Sequence, residues 1–211
     1  MNINKNNLLQ ERYVAFTIGV VTAVILAIRV VLLYDDHGGI FNALKHLSQF
    51  FTILTNTVVM LLMFAISSGR KIPQLFKLCV VVAITGVGII YHLLLAHLWS
   101  PEGLAWFADQ GVHTLVPILT IGWWLMFAIK TKISYKQSFY VVIWPIVYSC
   151  YALFRAQFSG VYPYPFLDLE TLGWTHLTLN LLGISAAFLL LGLLFITVNN
   201  LLLSKDEPTN S

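Results

Sequence analysis

An all-α, polytopic transmembrane helical bundle is the fold class that the sequence predicts, on three observations. The chain of 211 residues is 58% hydrophobic and 10% charged, with a mean hydropathy of +0.81. A soluble domain carries roughly 25% charged residues, so this chain lacks the polar surface to solvate itself and its apolar side chains face lipid. Apolar runs close to the roughly 20 residues that a bilayer helix needs recur along it. The polar connections between these runs alternate in charge.

Six runs each predict one span. The first, Tyr13 to Tyr34, holds a single charge, Arg29, and ends in Tyr34-Asp35-Asp36-His37-Gly38-Gly39. No small-residue cleavage site follows it, so the helix is expected to be retained. The second, His46 to Ile66, ends at Ser67-Ser68-Gly69-Arg70-Lys71, and the third, Leu75 to Leu98, is entered after Pro73 and closed by Trp99-Ser100-Pro101. The fourth, Val112 to Ile129, stops at Lys130, and the fifth, Ser138 to Arg155, is short and leads into a Pro-rich stretch. The sixth, Leu177 to Leu203, is long enough to cross with tilt. Residues 204–211 are polar and expected to be a disordered tail. No internal repeat divides the chain, so residues 1–211 are expected to form a single integral membrane domain.

Charge then orients the bundle. Lys5, Arg12, Arg70, Lys71, Lys77, Lys130, Lys132, Lys136 and Lys205 fall to one side, and Asp35, Asp36, Glu102, Asp109, Asp168 and Glu170 to the other. Basic residues mark the cytoplasmic side, which predicts both termini inside and the acid-bearing loops outside. No basic patch interleaved with aromatics is present, so nucleic acid is not an expected partner. Cys79 and Cys150 fall in apolar spans near opposite faces and are read as small, unpaired core residues. With no C-x-x-C, Walker loop, G-x-G-x-x-G or H-E-x-x-H, neither a cofactor nor a metal is expected.

The polar residues of the spans gather at one depth. In the predicted topology the outer half receives Arg29, Ser48, Thr52, Thr55, Asn56, Tyr91, His92, His97, His113, Tyr151, Arg155, His176 and Asn180, and the inner half is almost purely apolar. Ser48, Thr52, Thr55 and Asn56 are at helical spacing and predict one polar face. Placing each such group in a bilayer costs a few kcal/mol, so their concentration predicts a shared cavity in the outer leaflet. Arg29 either snorkels outward or pairs with Asp35 or Asp36, and the pair is the favoured reading. The loop Tyr162-Pro163-Tyr164-Pro165-Phe166 cannot continue a helix and is either an interfacial belt or a lid.

A hydroxyl and an imidazole are the minimum for nucleophilic acyl transfer, because the hydroxyl needs a neutral base to take its proton as it attacks. Donors for the developing oxyanion are sought among Asn56, His92, Tyr151 and Arg155, and Ser48, Thr55, Tyr91, His176 and Asn180 are further candidates for the cavity wall. Such a depth suits a lipid ester that never leaves the membrane.

Phe50-Phe51-Thr52 followed by Leu54-Thr55-Asn56, and His113 with Pro117 four residues on, resemble the androgen-induced gene 1/FAR-17a family over nearly the whole chain. The Tyr162-Pro163-Tyr164-Pro165-Phe166 loop after Arg155 is similar to its bacterial branch, the Pr6Pr-type membrane proteins, which implies a multi-pass protein of a bacterial inner membrane. The resemblance implies an intramembrane threonine hydrolase of fatty acid esters of hydroxy fatty acids, with Thr52 as nucleophile and His113 as general base. The family pattern has an acid shortly beyond the His-x-x-x-Pro; here that region reads Ile121-Gly122-Trp123-Trp124, which leaves a carboxylate partner for His113 unassigned. Two other readings use the same histidines. His92, His113 and His176 together would suit a catalytic zinc ion, as in the alkaline ceramidase and adiponectin-receptor group. A non-catalytic lipid or haem binder would use His92 with His176.

Overall fold

Pro73 starts the helix on which the bundle is built. It occupies the cap position of α4 (Gln74–Ile90), where its missing N–H leaves nothing unpaired. The Leu, Val and Ile run behind it is apolar on every side, the pattern of a helix enclosed by its neighbours. In the computed structural model, which describes residues 5–129 and 131–205, α4 packs against α3 (Phe51–Ser67), α6 (Val116–Trp123), α8 (Leu169–Lys205) and a 3₁₀ segment over Tyr135–Val142. Outside this centre, α1 (Lys5–Leu32) runs along α3, and α2 (Ile40–Leu47), α5 (Gly103–Gln110) and α7 (Ile143–Ser159) complete the bundle. No strand occurs among the described residues.

Among the described residues, five helical stretches are long and apolar enough to cross a membrane: Asn6–Leu32, Gln74–Leu98, Gly103–Ala128, Tyr135–Ser159 and Leu169–Ser204. The sixth expected span, His46 to Ile66, is not one straight helix. α2 and α3 meet at 102° across a break at Ser48–Phe50. Phe50 is extended (φ −95°, ψ 128°), and α7 satisfies the polar groups that the break frees. The Tyr148 hydroxyl donates to the Gln49 carbonyl at 2.7 Å, and Arg155 donates to Gln49 Oε1 at 2.7 Å. Ser48 therefore lies off α3, and the single polar face expected from Ser48 through Asn56 does not form.

Two other boundaries move in ways that matter for chemistry. The helix expected to begin at Val112 begins at Gly103 instead, so Asp109 is not a loop acid but a helical side chain 1% exposed. Trp99-Ser100-Pro101 ends the preceding helix, and nothing in Ala105 to Gln110 opposes helix formation. The helix expected from Leu177 begins at Leu169. Asp168 caps it, accepting from the Thr171 N–H at 3.1 Å and the Thr171 hydroxyl at 2.8 Å, bonds that hold its carboxyl below the ordinary carboxylate value. Gly173, at φ +67°, breaks the line of this helix, which then continues to Lys205. The remainder of the expected tail, 206–211, lies outside the described residues.

The opposite end of the bundle is less apolar than expected. Lys77, read as a loop charge, is buried against Glu11 at 3.6 Å. Asn199, 0% exposed, donates to the Thr131 carbonyl and accepts from Gln74. Both cysteines are free, and Cys150 faces outward rather than into the core. The burial of Asp109 separates it sharply from Glu102, which is exposed one residue before α5. With the purified protein in detergent, a cysteine at Glu102 should react with a water-soluble maleimide, and a cysteine at Asp109 should stay unlabelled until the protein is denatured.

Candidate active site

The break before α3 makes Thr52 the second residue of that helix. Phe50 supplies no side-chain cap, and Leu54 is the first residue whose N–H reaches back to a carbonyl, that of Phe50 at 3.2 Å. The N–H groups of Phe51, Thr52 and Ile53 thus have no carbonyl within the helix, and the helix dipole makes this end partly positive. Two phenols lean on it: Tyr148 contacts the Phe51 main chain, and Tyr164 contacts the main chain of Phe51 and Thr52 and the Thr52 hydroxyl. Tyr164 is 7% exposed. Burial pushes its phenol above the ordinary value against those contacts, in which its oxygen accepts, so it remains protonated.

His113 approaches from the other side because of a proline. α5 and α6 are one continuous rod whose middle, Gly111–Leu115, is a π-turn. Pro117 has no N–H to offer the His113 carbonyl one turn back, and its ring crowds that position, so the helix widens there. The freed carbonyl lies against α4, where Gly88 makes room; a Cβ at Gly88 would stand 3.1 Å from His113 O and 3.6 Å from Pro117. α4 itself ends in a π-turn, Tyr91–Leu95. That turn lays the Tyr91 ring flat on the imidazole, with centroids 3.8 Å apart and planes at 9°.

The two elements bring Thr52 Oγ1 to 3.3 Å from His113 Nε2. The other ring nitrogen, Nδ1, faces only acceptors: the Asp109 carbonyl at 3.0 Å and the Asp109 carboxylate Oδ1 at 3.3 Å. Nδ1 therefore carries the proton, and Nε2 presents its lone pair to the threonine hydroxyl. The main-chain contact is the formed hydrogen bond; Oδ1 is out of line and acts through its charge. Asp109 Oδ2 accepts a hydrogen bond from the Tyr91 hydroxyl, which also accepts from Gln110. Beneath the pair, Asn56 is 0% exposed and donates to the carbonyls of Thr52 at 2.8 Å and Val112 at 3.1 Å, joining α3 to the π-turn.

Thr52 borders two spaces. One is a cavity of about 300 Å³ that also meets His113, Arg29, Trp99, Pro163 and Tyr164. The other is a narrow crevice of about 30 Å³, walled by Phe51, Val87, Tyr148, Phe166, Leu167 and Phe188 among others. Pro163, Tyr164 and Pro165 of the Tyr162–Phe166 loop line the wider cavity, and Tyr164 and Phe166 the crevice. Arg29 lines the wider cavity, makes no ion pair with Asp35 or Asp36 among the described residues, and has a buried Nε without a hydrogen-bond partner.

Of the residues singled out from sequence, Thr52 and His113 meet, and Tyr91 and Asn56 brace them. Thr55 accepts from the Trp144 indole at 3.0 Å, and Arg155 anchors Gln49. The rest lie elsewhere. Ser48 bonds the Lys45 carbonyl and stands 3.5 Å from the Tyr151 hydroxyl. His92 is exposed and paired with Thr114 at 2.9 Å, and Asn180 donates to the Phe166 carbonyl. His176 is exposed and bonds the Leu172 carbonyl one turn back. The zinc trio is not assembled: no three His, Cys, Asp or Glu among the described residues are placed to hold a metal ion. Sequence reasoning missed Asp109, Arg29 as a cavity residue, and Tyr164 individually. The i, i+4 spacing of Asp109 and His113 was the signal for the first, hidden by placing Asp109 in a loop.

The close approach at Gly88 holds this geometry together. Gly88→Leu should lower unfolding stability by about 1–3 kcal/mol in a detergent melt and loosen the Tyr91–His113 stack, since a side chain there meets main chain rather than a yielding tip.

Neither a family model, nor a curated protein, nor a solved structure matches this chain.

Proposed function

We propose that the protein is a membrane-embedded serine-type hydrolase in which threonine replaces serine, acting on a lipid ester. The observation that carries this reading is the 3.3 Å contact between Thr52 Oγ1 and His113 Nε2, with the imidazole oriented from behind by Asp109. A nucleophile, a base and a group that fixes the base's tautomer are the parts that such chemistry requires. The Thr52 hydroxyl attacks the ester carbonyl as Nε2 takes its proton, giving a tetrahedral oxyanion beside the first N–H groups of α3, which it would share with Tyr148 and Tyr164. Collapse expels the alcohol with the proton returned by His113. A water molecule, activated in the same way, then releases the acid from the acyl-threonine.

The walls of the two spaces support a lipid substrate. The crevice beside Thr52 has apolar walls and would take a hydrocarbon chain by widening beyond its 30 Å³, and the wider cavity holds one arginine, Arg29. Esters of a fatty acid with a hydroxy fatty acid, the class implied by the resemblance to the androgen-induced gene 1/FAR-17a family, combine these features. In the proposed setting the chain crosses a bacterial inner membrane six times, the α2–α3 pair counting as one broken span. Both ends lie in the cytoplasm, and the site lies in the outer leaflet, as loop charge implies.

The test is labelling with a fluorophosphonate that carries an alkyl chain, followed by mapping of the adduct. The adduct should sit on Thr52 and be lost in Thr52→Ala and His113→Ala variants that retain the wild-type melting profile. Asp109→Asn should slow labelling by about 10²- to 10⁴-fold, because the imidazole then loses the charge that favours its protonated intermediate. Equal labelling of wild type and Thr52→Ala would sink the proposal.

A further inference from the structure

Far from Thr52, at the end of the bundle where α1 begins and α3 ends, two adjoining cavities share one residue, Arg12. The first, about 470 Å³, is lined by Arg12, Arg70, Lys71, Lys77 and Glu11, with Leu8 at its edge. The second, about 370 Å³, is lined by Arg12, Leu9, Tyr13, Phe16, Ser67 and Ser68. Four cations line the first, the apolar side chains Leu9, Tyr13 and Phe16 line part of the second, and both border a single guanidinium.

That guanidinium is held in place. Arg12 Nε donates to the Ser67 carbonyl at 2.8 Å, which spends the inward N–H on the end of α3. Its planar head lies over Gly69, where a Cβ would stand 3.4 to 3.6 Å from Cζ, Nη1 and Nη2. Gly69 is at φ +80°, a conformation that other residues rarely adopt, so the turn is both tight and bare beneath the arginine. Lys77 and Glu11, buried against each other at 3.6 Å, form a floor whose charges cancel. Among the described lining residues, Glu11 is the single acid against four cations, Arg12, Arg70, Lys71 and Lys77. Arg12, Arg70 and Lys71 are exposed.

The apolar half has an equally definite shape. Leu9, Tyr13 and Phe16 follow one another at i, i+4 and i+7 on α1, so they form one stripe leading away from Arg12. They are 50%, 71% and 53% exposed, and the Phe16 ring is fixed edge-on against Phe64 of α3. A fixed guanidinium flanked by two further cations matches the oxygens of a phosphate, and a stripe of this length beside it matches a hydrocarbon chain attached to that phosphate.

We propose that this double cavity binds an anionic phospholipid, its phosphate on Arg12, Arg70 and Lys71 and one acyl chain along Leu9, Tyr13 and Phe16. The site is separate from the Thr52–His113 pair and stands whether or not that pair is catalytic. It gives the protein a lipid held at the bundle end opposite the candidate active site, between α1 and the α3–α4 turn.

Native mass spectrometry of the full chain in detergent tests this, with phosphatidylglycerol, phosphatidylcholine of the same chains, and glycerol phosphate added in turn. Phosphatidylglycerol should be retained about ten-fold better than the zwitterionic lipid. Arg70→Gln/Lys71→Gln, a change confined to an exposed turn, should lower that retention at least about five-fold, the effect of about one surface cation. Arg12→Gln should lower it further, and the control pair Lys132→Gln/Lys136→Gln, exposed cations outside both cavities, should leave it unchanged. Equal retention of the two lipids, or equal losses in the Arg70/Lys71 and control pairs, would overturn the proposal. Displacement of phosphatidylglycerol by glycerol phosphate at equal concentration would overturn it too, by making the site one for a soluble phosphate.

Discussion

A missing hydrogen-bond donor organises the centre of this protein. Pro117 cannot pair with the carbonyl of His113, and in a helix running from Gly103 that vacancy falls mid-rod, where it costs most. The helix responds by widening into a π-turn, and the freed carbonyl faces α4 at the one place, Gly88, where no side chain stands in its way. The same turn swings the imidazole toward α3, and the π-turn at the end of α4 brings Tyr91 down onto its face. Three helices therefore meet through a defect rather than through regular packing. The local loss of helical hydrogen bonding is offset by contacts that only this arrangement offers, Asn56 bridging to the Val112 carbonyl being the clearest.

Much of the fold was legible from hydropathy. The third and sixth spans follow from runs of Leu, Val and Ile with polar punctuation, and composition alone required helices. What periodicity could not show was the angle between α2 and α3. His46 to Ile66 reads as one helix, and the break at Ser48–Phe50 is stabilised by Tyr148 and Arg155, about a hundred residues away, which satisfy the polar groups of Gln49. Nothing local in the sequence announces those partners. The start of the fourth span was misplaced for a related reason: Asp109 reads as a loop residue until Tyr91 and His113 are known to stand beside it.

The candidate site was legible in its two principal residues and not in their support. Thr52 and His113 are 61 positions apart, and it was motif resemblance, not spacing, that paired them; the 3.3 Å contact is a property of the fold. Arg29 was assigned to the nearest acids in sequence, Asp35 and Asp36, as proximity along a chain suggests. It lines the cavity instead, and no ion pair to either acid forms among the described residues. Tyr164 was one aromatic among several in a Pro-rich loop, and only tertiary folding distinguishes the ring that enters the core from the ones that do not.

Gln49 gives the site a mechanical character. It is tied twice to α7, through its main-chain oxygen and through its side chain, and it lies only three residues before Thr52. The first turn of α3 is therefore not free to move as a unit with the rest of that helix; its position is referenced to α7. A shift of α7 against the bundle would be delivered to Thr52 through three extended or first-turn residues, a linkage too short to absorb it. His113, fixed to α4 by the stack on Tyr91, would not follow. The separation of hydroxyl and imidazole is in this sense a gauge of how α7 sits relative to α4.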